Sequence, residues 1–94
     1  TGPTGDPLRW VVVTAGPDGA RAFSAAETLA VPAERVETVD TTGAGDAFAA
    51  GLVHGLVAGQ SMAQALALAV RFGTEATRFS GSVMPAEAVR RLLA

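Results

Sequence analysis

The spacing of apolar positions changes character part-way along the chain. Up to residue 39 the apolar residues come in short runs broken by turn formers, whereas from Asp46 onward they recur at helical spacing. The opening Thr1-Gly2-Pro3-Thr4-Gly5-Asp6-Pro7 is dense in turn formers, so residues 1–8 are expected to form a loop or frayed end. Residues 10–14, Trp-Val-Val-Val-Thr, read as a strand, and the unbroken apolar run implies burial on both faces. Gly16-Pro17-Asp18-Gly19 supplies the following turn, and residues 20–24 return as a second strand. Residues 28–31 are a further extended piece, and residues 35–39 a last strand-like stretch.

The second half predicts three helices. One runs over residues 46–58 with Gly59 at its C-terminal cap, and one over residues 61–79. The latter starts with Ser61 as N-cap and Gln64 three residues on, a capping box. Its Leu66, Ala69, Gly73 and Ala76 form a stripe of mostly small residues that lets another helix approach closely. The last covers residues 85–93, with Pro85 in its first turn and Val89, Leu92 and Leu93 facing inward. No internal repeat interrupts this order.

Composition narrows the picture. Ninety-four residues make one small domain at most, and Ala supplies much of the 49% hydrophobic content. The core is therefore expected to be thin, and its apolar surface to be covered by a partner, either a missing N-terminal segment or a second copy. A net charge of -2 with no basic run argues against nucleic acid and against an anionic membrane. No apolar stretch is long enough to span a bilayer. The absence of cysteine removes disulfides and thiolate chemistry and fits a cytoplasmic protein.

Chemistry concentrates in Asp40-Thr41-Thr42-Gly43-Ala44-Gly45-Asp46, between an extended stretch and a helix. The amides of Gly43, Ala44 and Gly45 at a helix start make a concavity that favours negative charge. A carboxylate at its edge would repel a resting phosphate. Asp46 there suits a base that accepts the proton of a hydroxyl attacking phosphorus. The other reading of Asp46 is an ordinary helix N-cap, with the glycines forming a tight turn. A dinucleotide-binding fingerprint fits poorly, because Phe48 stands at its third glycine position. The chain contains no lysine and no Gly-Lys-Ser/Thr loop, which excludes Walker-type chemistry.

The run from Asp40 to Phe48, followed by Ala50-Gly51, resembles the C-terminal signature of ribokinase-like carbohydrate kinases, which include the B-type phosphofructokinases. Val12-Val13-Thr14-Ala15-Gly16-Pro17-Asp18-Gly19-Ala20 resembles that family's strand and nucleotide-binding turn, and residues 65–85 its adenine-side helix and loop. The resemblance covers nearly everything after Arg9, so residues 9–94 are expected to be the C-terminal, ATP-binding and catalytic portion of a three-layer αβα fold. It implies Asp46 as general base and Gly43, Ala44 and Gly45 as anion hole. It places Thr14, Gly16, Asp18, Gly19, Gly45 and Val70 around ATP, which carries Mg2+. Asp40 and the Thr42 carbonyl would serve a monovalent cation, K+ in type, in members that have one. Val70 stands where many relatives carry Asn or His, which makes that contact apolar.

The implied activity is ATP-dependent phosphoryl transfer to a hydroxyl of a sugar, sugar phosphate or nucleoside. The alternative is a catalytically silent nucleotide-binding or structural fragment lacking the substrate-binding half. Intact Asp46 beside both glycines favours the enzyme. The absence of any segment resembling the family's sugar-binding strands favours the fragment.

Overall fold

The computed structural model describes residues 9–79 and 84–94. Three strands, β1 (Val11–Thr14), β2 (Ala20–Phe23) and β3 (Thr28–Val31), form an antiparallel sheet in sequence order. Three helices follow: α1 (Ala44–Val57), α2 (Met62–Ala76) and α3 (Ala86–Leu93). A single-turn 3-10 segment, Gly16–Asp18, joins β1 to β2.

Strand register sorts side chains by period two. Val11 pairs with Phe23 and Val12 with Ala22, while Ala22 pairs with Leu29 and Ala20 with Val31. Ala20 and Ala22 are therefore buried on one face together with Val12, Leu29 and Val31, and this face packs on Phe48 of α1 and on Met62, Leu66, Ala69 and Val70 of α2. On the opposite face Val11 is 63% and Val13 49% exposed. The described residues supply a layer on one side of this strand only, so the second covering layer its apolar run implies is not among them. Trp10 is buried in the same core, and its Nε1 finds no acceptor among the described residues.

Helix α2 is the hub. Its other side carries Leu68 and Phe72 against Leu92 of α3, with Ala47, Met84 and Val89 at the edge. The close approach of α1 to α2 depends on glycine: a Cβ at Gly51 would lie 2.8 Å from the Phe72 ring, and one at Gly55 2.9 Å from Ala65 Cα. Ala69 and Gly73 of the stripe predicted on α2 lie in this contact, joined by Ala65 and Phe72 from outside it.

Helix boundaries follow local chemistry. The Ser61 and Gln64 capping box is present, with Gln64 N–H donating to Ser61 Oγ at 3.2 Å and Ser61 N–H to Gln64 Oε1 at 3.0 Å. At the end of α1, Gln60 N–H donates to the Gly55 carbonyl and Gly59 N–H to that of Leu56, with Gly59 at φ +85°, a Schellman closure. Several expectations need correction. Helix α1 begins at Ala44, two residues before Asp46, because Gly43 adopts φ 76° and serves as N-cap. Helix α2 ends at Ala76 rather than Phe79. Leu93 is 43% exposed, so of the three expected inward only Leu92 and the half-buried Val89 face the core, and Ala88 is buried beside them. Residues 35–39 are not a strand: the amides of Val39 and Asp40 both donate to the Thr77 carbonyl, at 2.7 and 3.0 Å, tying the segment to the end of α2. The predicted loop over residues 1–8 lies outside the described residues.

Candidate functional site

A cleft of about 610 Å³ opens where the β1–β2 turn, the segment 33–38, the start of α1 and the middle of α2 converge. Thr14 ends β1 and contributes one wall, continued by Gly16, Asp18 and Gly19 of the turn. Gly19 is dictated by its neighbours. It has φ +95°, and a Cβ there would collide with the Val31 carbonyl oxygen and lie 2.8 Å from Ala33 N, so only glycine lets segment 31–33 close against the turn. Ala44, Gly45 and Phe48 of α1 form the second wall, and Val70, Gly73 and Thr74 of α2 the third.

The start of α1 is electrostatically open. No side chain caps it. The Ala44 N–H donates to the Thr41 carbonyl at 3.2 Å, and Ala47 N–H to that of Gly43 at 3.0 Å. The Gly45 and Asp46 amides between them find no acceptor among the described residues. With the helix dipole behind them, these two donors favour an anion. Of the predicted set Ala44 is engaged, Gly43 and Gly45 have no acceptor for their N–H among the described residues, and Asp46 adds its own N–H. A Cβ at Gly45 would meet nothing within 4 Å, so no packing within the described chain requires glycine there.

Asp46 stands in the first turn of α1, exposed, three positions after the N-cap. Its side chain does not cap the helix, so the N-cap reading gives way to that of a first-turn acid favoured by the helix dipole as the ordinary structural role. Asp40 Oδ1 accepts the Thr42 N–H at 2.9 Å, a turn that shapes the approach to Gly43.

All six residues predicted around ATP, namely Thr14, Gly16, Asp18, Gly19, Gly45 and Val70, line this one cleft. Ala44 joins them, whereas Gly43, Asp46, Asp40 and Thr42 do not line it and sit at or before the start of α1. Sequence reasoning missed the segment 33–38, the α2 positions Gly73 and Thr74, and Thr77 just beyond the helix. Gly73 was read only as a packing position; its Cβ would lie 3.4 Å from both the Ala44 carbonyl and Phe48 Cβ, where α2 crosses the anion loop.

Comparison with known proteins follows the same residues. The pfkB family carbohydrate kinase pattern matches residues 3–88. An ATP-dependent 6-phosphofructokinase of Thermoanaerobacterium thermosaccharolyticum is 36% identical over 74 residues, covering 79% of this chain and 23% of that protein. The ribokinase of Thermotoga maritima superimposes with a TM-score of 0.81 at 26% identity, over 90% of this chain and 30% of its own. The aminoimidazole riboside kinase of Salmonella enterica, solved with aminoimidazole riboside and an ATP analogue, gives 0.78 at 31% identity, over 92% of this chain and 32% of its own. The three strands and three helices are an α/β portion of the ribokinase fold. The chain spans under a third of the length of these relatives.

Proposed function

Because the chain belongs to the pfkB family of carbohydrate kinases, we propose that it forms the nucleotide-holding and phosphoryl-handling part of an ATP-dependent kinase. The acceptor is a hydroxyl of a sugar, sugar phosphate or nucleoside. The observation that carries this reading is the convergence of Thr14, Gly16, Asp18, Gly19 and Val70 with the open Gly45 amide on one cleft.

In this mechanism ATP lies along the cleft with its phosphates toward Gly45 and the start of α1. The acceptor hydroxyl gives its proton to the Asp46 carboxylate while its oxygen bonds to the γ-phosphorus. The bond from that phosphorus to the bridging oxygen breaks, and ADP leaves. The open amides of Gly45 and Asp46 hold the charge on the transferring phosphoryl oxygens, the largest contribution protein groups make to such a reaction. Glycine at position 45 lets those oxygens approach the backbone.

Mg2+ would enter bound to ATP and neutralise phosphate charge. Such an ion takes phosphate and water oxygens with at most one or two carboxylates, so it needs no cluster of protein ligands. Asp40 and the Thr42 carbonyl offer the hard oxygen donors a K+ ion takes, one Asp40 oxygen being already engaged by Thr42 N–H. ATP as donor fits a cytoplasmic enzyme, and no helix among the described residues is long and apolar enough to cross a membrane.

The bare sheet face carrying Val11, Val13 and Phe23 is covered in this reading by polypeptide supplying the remainder of the fold, with a second copy as the other occupant. Sedimentation of the chain alone as a stable compact monomer would contradict it. One observation favours a second reading, a fragment that binds nucleotide without turnover: Asp46 does not line the cleft. A single assay separates the two. Incubation with γ-labelled ATP and a panel of fructose, fructose 6-phosphate, ribose and a nucleoside should label at least one acceptor. Saturable ATP binding with no labelled acceptor selects the silent fragment, and absence of ATP binding removes both.

A further inference from the structure

The cleft has two unlike ends. Ala44 and Gly45, at the amide end, line it alone, whereas Glu34, Val36, Val70 and Thr74 also border a second hollow of about 390 Å³. That shared wall is apolar at Val36 and Val70, a surface suited to the edge of a base rather than to phosphate. A base also needs a flat partner for its face. The only aromatic residue among the described lining residues is Phe48, whose side chain is committed to the core at 9% exposure.

Arg35, between Glu34 and Val36 in the chain, lines the cleft but not the second hollow. It is exposed, and it is the only cationic side chain among the described lining residues of the cleft. It forms no ion pair or hydrogen bond among the described residues, unlike Arg78, which is tied to Glu75 at 2.8 Å. Its guanidinium is therefore an uncommitted plane beside an apolar wall. Guanidinium planes stack on nucleic acid bases, and an ammonium group does not reproduce that geometry.

We propose that Arg35 is a specificity-determining residue of the nucleotide site, its guanidinium lying against the face of the base while the phosphates sit at the start of α1. This rests on the reading of the cleft as the ATP site. Segment 33–38 then has a function that explains why it lies along the cleft instead of joining the sheet: it carries the stacking group.

Titration calorimetry of the purified protein and of Arg35→Ala and Arg35→Lys, with ATP, ADP and tripolyphosphate as ligands, tests it. Arg35 is exposed, so both variants should melt with the parent. Arg35→Ala should weaken ATP and ADP by the same factor, about two- to fivefold for a cation and ring at an exposed site, with tripolyphosphate unchanged. Arg35→Lys should fail to restore the loss. A fall in tripolyphosphate affinity that Arg35→Lys restores would make Arg35 a phosphate contact and overturn the proposal. Unchanged ATP binding in both variants would overturn it while leaving the ATP site intact, and a parent that binds no ATP would overturn the site reading itself.

Discussion

Helices α1 and α2 lie side by side, yet their N-termini are finished in opposite ways. At α2, Ser61 and Gln64 satisfy each other's backbone amides at 3.2 and 3.0 Å, closing the end with the chain's own atoms. At α1 the N-cap is Gly43, no side chain reaches the first turn, and the Gly45 and Asp46 amides have no acceptor among the described residues. A helix end left open beside a cleft is poor design for stability, since capping contributes about 1 kcal/mol. The difference teaches where to look for function: α2 is closed by the chain's own atoms, and α1 keeps donors that the proposed reading gives to a ligand.

The sharpest way to break this comparison is at Asp46. Asp46→Asn keeps the shape but cannot take a proton, so turnover in the active enzyme should fall by about 10² to 10⁴. ATP binding should persist, and stability should stay within about 1 kcal/mol of the parent. Steady-state kinetics beside a thermal melt check it; near-normal turnover would return Asp46 to an ordinary first-turn acid.

Next in size is Gly45→Ala. The new methyl meets open space in the described chain, and Gly45 is not at positive φ, so the variant should be more stable by about 0.4–1 kcal/mol. It should nevertheless bind ATP on the order of tenfold more weakly, the cost of one obstructed hydrogen bond to a charged group. Chemical denaturation and calorimetry on the same protein should move in opposite directions. A variant that gains stability and binds ATP normally would mean that the anion does not approach the backbone here.

Smallest is Ser61→Ala, the control at the closed end. It should cost about 1 kcal/mol of stability and leave ATP affinity unchanged. Equal loss of ATP affinity would erase the distinction between the two helix starts.

Much of this was legible in the sequence because local chemistry and tertiary structure agree. Ser61 and Gln64 announce α2, Gly59 closes α1, and the β-branched run after Trp10 makes β1. Thr14, Gly16, Asp18, Gly19, Gly45 and Val70, which the family resemblance singles out, line one cleft, and Gly19 has in addition a local reason in the backbone that must close against it. Residues 35–39 misled for a physical reason. Val36 and Val39 lie among charged residues as in an edge strand, but their segment is held by the Thr77 carbonyl and by contact with the cleft, which no local pattern encodes. Gly73 was hidden inside a helical stripe whose packing role was sufficient to explain it, and Thr74 and Thr77 carry no local signal that sets them apart from other residues near the end of a helix. The start of α1 was read two residues late because a left-handed Gly43 as N-cap leaves no side-chain signature.

The most direct test of the open α1 start compares amides within one molecule. In a titration of ¹⁵N-labelled protein with ATP, the Gly45 and Asp46 amide resonances should shift saturably, in step with the calorimetric binding curve. The Gln64 amide, already held by Ser61 Oγ, should stay in place. Saturable ATP binding with Gly45 and Asp46 unmoved, or with Gln64 moving as far as they do, would contradict the account.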